Sequence, residues 1–217
     1  MKIFLFESKK LYRAVLLFSA GLCFCFLFFV LVFPIYAGSS ESFKAILKSY
    51  PKSFVDALGF DPNVIFAFNG FYAFTLNYLS ILAAIAAVYF AVSVFGREKQ
   101  FKTAGFLLSK PAGRTAVFAA KLCAGLTALF ALNSIYFAFS AAVFKTMKFK
   151  GFKMFLLLGL SLFFCQLLFF VIGAFFAAFA RRIKSPLNIA LTVGFSFFII
   201  SMVQSVLDKP WLRFLSP

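Results

Sequence analysis

Five long apolar stretches dominate this sequence and restrict it to one class of fold. They cover about residues 14–36, 71–95, 115–144, 154–180 and 186–207. Each is long enough to cross the ~30 Å of a bilayer's hydrocarbon layer as a helix. None contains Asp or Glu, and Lys121, near the start of the third, is the one cation inside them. Because backbone polar groups in lipid must bond within their own segment, we predict an all-α integral membrane protein with five transmembrane helices.

Composition supports the same class. Hydrophobic residues make up 64% of the chain and charged residues 13%, against roughly 45–50% and about 25% in soluble domains. One globular core cannot hide such an excess of apolar side chains, so lipid is expected to cover much of the surface.

The charge pattern predicts how the chain lies in the membrane. The net charge is +16, and the cations cluster between the apolar stretches without forming a nucleic-acid-binding motif. We therefore expect membrane lipid, and no nucleic acid, as a partner. If the spans alternate, residues 1–13, 97–121 and 181–184 place 13 of the 22 cations on one side. This bias predicts a cytoplasmic N-terminus, although the four-lysine loop at 145–153 is discordant. The low acid content and the abundance of Lys and Phe fit a multi-pass protein of the bacterial cytoplasmic membrane.

The sequence lacks the residues that metal binding, acid–base catalysis, ATP binding and ion-coupled transport usually require. The chain has no histidine, and its four cysteines lie within apolar stretches, so we predict no metal site and no catalytic residue. No GxxxxGK[ST] phosphate loop occurs, so this sequence does not bind ATP by that device. Since no acid lies inside a span, proton or sodium coupling is also disfavoured.

The segments outside the spans predict additional short helices. Residues 1–13 mix apolar and charged side chains, which is typical of a cytoplasmic interfacial helix preceding a transmembrane domain at 14–217. Residues 37–70 predict two short surface helices. After the second span, Phe101, Ala104, Gly105 and Leu108 share one helical face, and Pro111 ends that pattern. This indicates a short amphipathic helix between spans 2 and 3, on the cytoplasmic side.

Residues in and around this last segment resemble the E…GT…LLS-x-P-x-[SG]-R…K pattern of ABC-2 type transporter permeases. The matching residues are Glu98, Thr103, Leu107, Leu108, Ser109, Pro111, Gly113, Arg114 and Lys121. The family's usual Gly-Thr pair reads Lys102-Thr103 here, which is a departure from the pattern. Members commonly have six spans, and residues 208–217 are similar to the linker before the sixth. We therefore expect either truncation or natural absence of a sixth span.

The resemblance implies a function. In that family the segment is a coupling helix that contacts an ATPase subunit. The residues expected at this interface are Glu98, Phe101, Lys102, Thr103, Leu107, Leu108, Ser109, Pro111 and Arg114. The chain would be the permease of an ATP-driven exporter, not an enzyme by itself. A separate ATPase subunit would hold ATP and Mg²⁺, and a second permease chain would complete a homodimer or heterodimer. The alternative is a membrane scaffold or accessory subunit without a translocation path.

Four amide side chains lie in or near the spans: Asn77, Asn133, Gln166 and Gln204. Such groups commonly form hydrogen bonds between helices. They could also line a translocation path, and the sequence leaves both interpretations open. No residue in the sequence indicates the cargo.

Overall fold

The computed structural model describes residues 2–38, 68–101, 113–147, 151–180 and 182–207. Within those ranges the secondary structure is helical, with no strand. The helices are α1 (Lys2–Gly38), α2 (Phe68–Phe95), α3 (Arg97–Phe101), α4 (Arg114–Thr146), α5 (Phe152–Phe179) and α6 (Pro186–Leu207). All but α3 are long and apolar enough to cross a membrane. The predicted all-α class and its five spans are therefore confirmed.

The first helix is longer than its predicted span. It runs without interruption from Lys2 to Gly38, so the predicted interfacial segment at 1–13 is the N-terminal part of the same helix. Its location at the membrane surface stays a prediction. Three predicted segments lie wholly or largely outside the described residues. They are the surface helices within 37–70, of which 39–67 is not described, most of the coupling helix (102–112) and the C-terminal linker (208–217).

Helix α2 is the centre of the bundle. Of its most apolar 18-residue window, 67% is buried, against 33% for each of α1, α4 and α5 and 17% for α6. It packs against all four of the other long helices, while α1 and α4 also pack along each other. The buried run from Ala83 to Ala87 includes four alanines, whose small side chains let neighbouring helices come close.

Helix α5 approaches α2 closely at Gly173. A Cβ atom added at Gly173 would lie only 2.9 Å from Ala91 Cβ and 2.9 Å from Val88 Cα. A larger residue at position 173 would therefore push the two helices apart. This contact anchors α5 on α2 near the end where α2 leads into α3.

The outward surface of the bundle is strongly apolar. Phe24 on α1 and Val171 on α5 are 71% and 66% exposed, and Phe130 on α4 is 66% exposed. Side chains of this kind are stable on a surface that faces lipid tails. Of the described residues, the polar ones that are most buried lie near the junction of α2 and α3 and inside the bundle.

Candidate functional site

The short helix α3 follows α2 after a bend at Gly96. The Gly96 amide donates to the Val92 carbonyl at 2.8 Å, and the Gln100 amide donates to the Gly96 carbonyl at 3.0 Å. A Cβ atom at position 96 would lie 2.4 Å from Ile183 Cδ1 and 2.6 Å from the Val92 oxygen. Glycine therefore lets the start of α3 pack tightly against the connection between α5 and α6.

Two ion pairs attach α3 to other helices. Arg97 Nη1 donates to Glu7 Oε2 of α1, and Lys121 Nζ of α4 donates to Glu98 Oε1 at 2.5 Å. The Glu7 and Lys121 side chains are 4% and 6% exposed, and those of Arg97 and Glu98 are 15% and 18% exposed. Each buried charge is thus neutralised by a partner on a different helix, as burial of a charge requires.

Lys121 makes a further contact with the end of α2. Its Nζ donates to the Val94 carbonyl at 2.6 Å. This carbonyl is one of the last in α2 and has no N–H partner further along a regular helix. Lys121 therefore joins α4 to α2 and α3 at one point, which explains how a cation is accommodated within the third predicted span.

The next two residues of α3 contact the end of α5 and the connection that follows it. Lys99 Nζ donates to the carbonyls of Ala177, Ala178 and Ala180, at 2.9, 2.5 and 3.1 Å. A cation at the C-terminal end of a helix satisfies its free carbonyls and its dipole. Gln100 Nε2 donates to the Lys184 carbonyl, in the connection to α6, at 3.2 Å.

Four consecutive residues of α3 therefore contact four different parts of the bundle. We call the set Glu7, Arg97, Glu98, Lys99 and Lys121 the charge hub. Both carboxylates of the charge hub form ion pairs with cations on other helices, so the hub serves to join helices. Within the described ranges, no group of three or more His, Cys, Asp or Glu side chains is arranged to hold a metal ion.

The predicted coupling residues are only partly described. Glu98 lies in the charge hub, the Phe101 side chain is 61% exposed at the end of α3, and Arg114 is exposed at the start of α4. Lys102, Thr103, Leu107, Leu108, Ser109 and Pro111 lie outside the described residues. Contact of any of these residues with an ATPase stays a prediction.

The family pattern in the sequence includes Glu98 and Lys121 but not Glu7, Arg97 or Lys99. A usable signal existed, because the chain has only six acids. An acid near the end of an apolar helix needs a cationic partner. The identity of that partner could not be read from the sequence, since Glu7 and Arg97 are 90 positions apart.

The amides within the spans separate into different environments. Asn133 Nδ2 of α4 donates to Gln166 Oε1 of α5 and to the Leu129 carbonyl. Gln166 is fully buried, so this pair joins two helices inside the bundle. Asn77 is exposed on α2, and Gln204 is half-buried on α6. Whether any of the four lines a path stays a prediction.

Comparison with known proteins identifies the family. The family model described as ABC-2 family transporter protein matches residues 15–210, a range that includes α2 to α6 and most of α1. Neither curated proteins nor solved structures give a significant match. The matched range also contains all of the charge hub except Glu7. This chain therefore belongs to the ABC-2 family of transporter proteins and is a multi-pass membrane permease of that family.

Proposed function

We propose that this permease is moved by a separate ATPase subunit through α3 and the segment that follows it, and that the complex is an exporter. One observation carries the coupling part of the proposal: four consecutive residues of α3 contact α1, α4, the end of α5 and the connection to α6. A force applied to α3 therefore reaches every long helix of the bundle, either directly or through one contact.

The charge hub makes this transmission effective. Removing one partner of a buried ion pair typically costs about 3–5 kcal/mol, because the other charge is left uncompensated. Moving α3 away from Glu7 or Lys121 would separate two such pairs. We therefore expect α1 and α4 to follow α3, and the helices to repack between two arrangements as rigid bodies.

The residues at the ends of 102–112 support a contact with a cytoplasmic partner. Phe101 and Arg114 flank this segment, and both are exposed. In the proposal they surround the docking surface together with Lys102, Thr103, Leu107, Leu108, Ser109 and Pro111. The partner would bind ATP and Mg²⁺, and this chain would hold no cofactor.

The remaining parts of the proposal concern assembly and location. The cation bias favours a cytoplasmic location for the N-terminus and the charge hub, and the low acid content with abundant Lys and Phe favours a bacterial cytoplasmic membrane. A second permease chain, identical or related, would complete the path. Export is proposed from the family resemblance, and family membership favours transport over the alternative of a scaffold.

Co-purification tests the coupling surface. A tagged chain isolated from its native membranes is expected to bring with it an ATPase that carries a phosphate loop. Leu108→Asp should abolish this, because it places a charge on the apolar face of the predicted coupling helix. Lys110→Asp is the matched control, since it introduces the same residue in the same segment outside that face, and it should keep the ATPase.

Two results would contradict the proposal. ATPase recovery unchanged by Leu108→Asp, at equal membrane yield of the variants, would favour the scaffold alternative. A reporter fused within residues 102–112 that is active only outside the cell would place the segment on the wrong side for an ATPase.

A further inference from the structure

Asn77 is unusual among the residues of the central helix. Between Gly70 and Phe95 it is the one residue of α2 that is exposed, and all the others are buried or half-buried. Its backbone carbonyl accepts a hydrogen bond from Ser80 Oγ at 2.6 Å. Its side-chain amide has no hydrogen-bond partner among the described residues. The central helix therefore reaches the surface at a polar group.

This amide lies well inside the apolar layer. Asn77 is seven residues from Gly70 and 18 residues from Phe95, the ends of the candidate span. At 1.5 Å per residue these separations are roughly 10 Å and 27 Å. The neighbouring Tyr78 ring stacks on Phe29, with ring centroids 6.3 Å apart, and Phe29 is itself within the first span. Lipid tails offer no hydrogen bond at this depth, so lipid is a poor cover for the amide.

The surface around Asn77 is shaped to receive another helix. A groove of about 250 Å³ lies between α2 and α5, and Leu76, Leu158 and Leu162 contribute to its lining. The groove is also lined by Ala73, Ser80, Ser161 and Cys165, whose small side chains let a second helix approach closely. Ser161 Oγ donates to the Leu158 carbonyl of its own helix at 2.7 Å. The serine hydroxyls are thus already engaged as donors, and the Asn77 amide is left for an external partner.

We infer that a second copy of this chain covers the groove, with the Asn77 side chains of the two copies bonded to each other. An amide has both donors and an acceptor, so two asparagines can pair across a twofold axis. A twofold interface brings the same patch of each subunit together, which suits a self-complementary group. The inference rests on the proposed function in that it identifies the face used by the second permease chain.

Disulfide crosslinking tests this directly. In a variant with Cys23, Cys25, Cys123 and Cys165 replaced by alanine, Asn77→Cys should give a crosslinked dimer when native membranes are oxidised. Phe24→Cys is the control, because Phe24 is 71% exposed on α1 and lies away from the groove. It should remain monomeric under the same conditions. If oxidised membranes contain the Asn77→Cys variant only as a monomer, the inference is wrong.

The other occupants of the groove give distinct results. Labelling of the Asn77→Cys variant by a membrane-impermeant thiol reagent, without crosslinking, would mean that the groove faces a water-filled path. An introduced thiol that neither crosslinks nor reacts would face lipid, and either result overturns the inference.

If the Asn77→Cys variant fails to insert into the membrane, co-purification of two differently tagged copies tests the inference instead. Asn77→Leu should reduce their co-purification roughly threefold to tenfold, the range expected for loss of an interhelical hydrogen bond in a membrane. Asn77→Gln should retain it, whereas equal recovery with Asn77→Leu would overturn the inference.

Failure here is separable from failure of the coupling proposal. The same membranes are assayed for recovery of the ATPase with and without Leu108→Asp. If the ATPase is recovered and Leu108→Asp removes it, while copies carrying Asn77→Cys do not crosslink, only the inference about Asn77 is wrong.

Discussion

The two ends of α2 are held in different ways. At its C-terminal end, α3 is joined to α1, α4 and α5 through the charge hub, by ion pairs and hydrogen bonds. Toward its N-terminal end, α2 packs on α1 through aromatic rings. Phe29 lies 6.4 Å from Phe71 and Phe33 lies 5.1 Å from it, between ring centroids.

The two kinds of contact respond differently to movement. Hydrogen bonds and ion pairs require particular distances and angles, so they hold helices in register. Ring contacts tolerate several geometries and lose little when rings shift. In the proposed mechanism the charge hub transmits motion, whereas the aromatic end accommodates it. Three substitutions break or sharpen this contrast.

Lys121→Met should have the largest effect. It keeps the apolar length of the side chain but leaves Glu98 without its partner in a largely buried site, at a cost of about 3–5 kcal/mol. The measurement is the free energy of unfolding in detergent. Adding Glu98→Gln to Lys121→Met should recover part of the loss, because no unpaired charge then remains. A Lys121→Met protein as stable as the unmodified one would contradict the role of the ion pair.

Glu7→Gln should have an intermediate effect. Glutamine can still accept a hydrogen bond from Arg97, but it removes the compensating charge. We expect a loss of roughly 1.5–3 kcal/mol, the range for hydrogen bonds to charged groups. Glu7→Asp serves as a control that keeps the charge while shortening the side chain. If both variants unfold at the same free energy as the unmodified protein, the contact with α1 does not stabilise the charge hub.

Phe29→Leu should have the smallest effect. It removes ring contacts with Phe71, Phe74 and Tyr78 but keeps an apolar side chain facing apolar neighbours. Aromatic pairs contribute about 0.5–1.5 kcal/mol beyond their buried area. Because Phe29 is only half-buried, its three pairs should lie at the lower end of that range, and a stability loss of about 1.5 kcal/mol with ATPase recovery unchanged is expected. A loss equal to that of Lys121→Met would remove the contrast between the two ends.

The spans could be predicted because each depends on a local property, the length of an apolar stretch. The fifth was predicted at 186–207 and is observed at Pro186–Leu207, where proline suits the first turn of a helix. The first span was predicted at about 14–36, and the helix that contains it extends from Lys2 to Gly38, so residues 2–13 continue the same helix. The pairing of Glu7 with Arg97 is compatible with one continuous helix, and the interfacial location of 1–13 stays a prediction.

The arrangement of the polar residues could not be predicted in the same way. Asn77 and Gln166 are both amides within apolar stretches, yet one is exposed and the other fully buried. Helices that are apolar on every side carry little information about which face is inward. The contacts of the charge hub likewise join residues far apart in the chain, so they depend on how the helices pack.

The central claim is that α3 carries α4 with it when the ATPase acts. It is tested by the distance between spin labels on cysteines introduced in place of Ala119 of α4 and Phe179 of α5, both exposed, in a variant lacking the native cysteines. In the complex with its ATPase, trapping nucleotide with vanadate should change this distance. Lys121→Met should abolish the change while the ATPase stays bound. A change of the same size in the Lys121→Met complex would contradict the account.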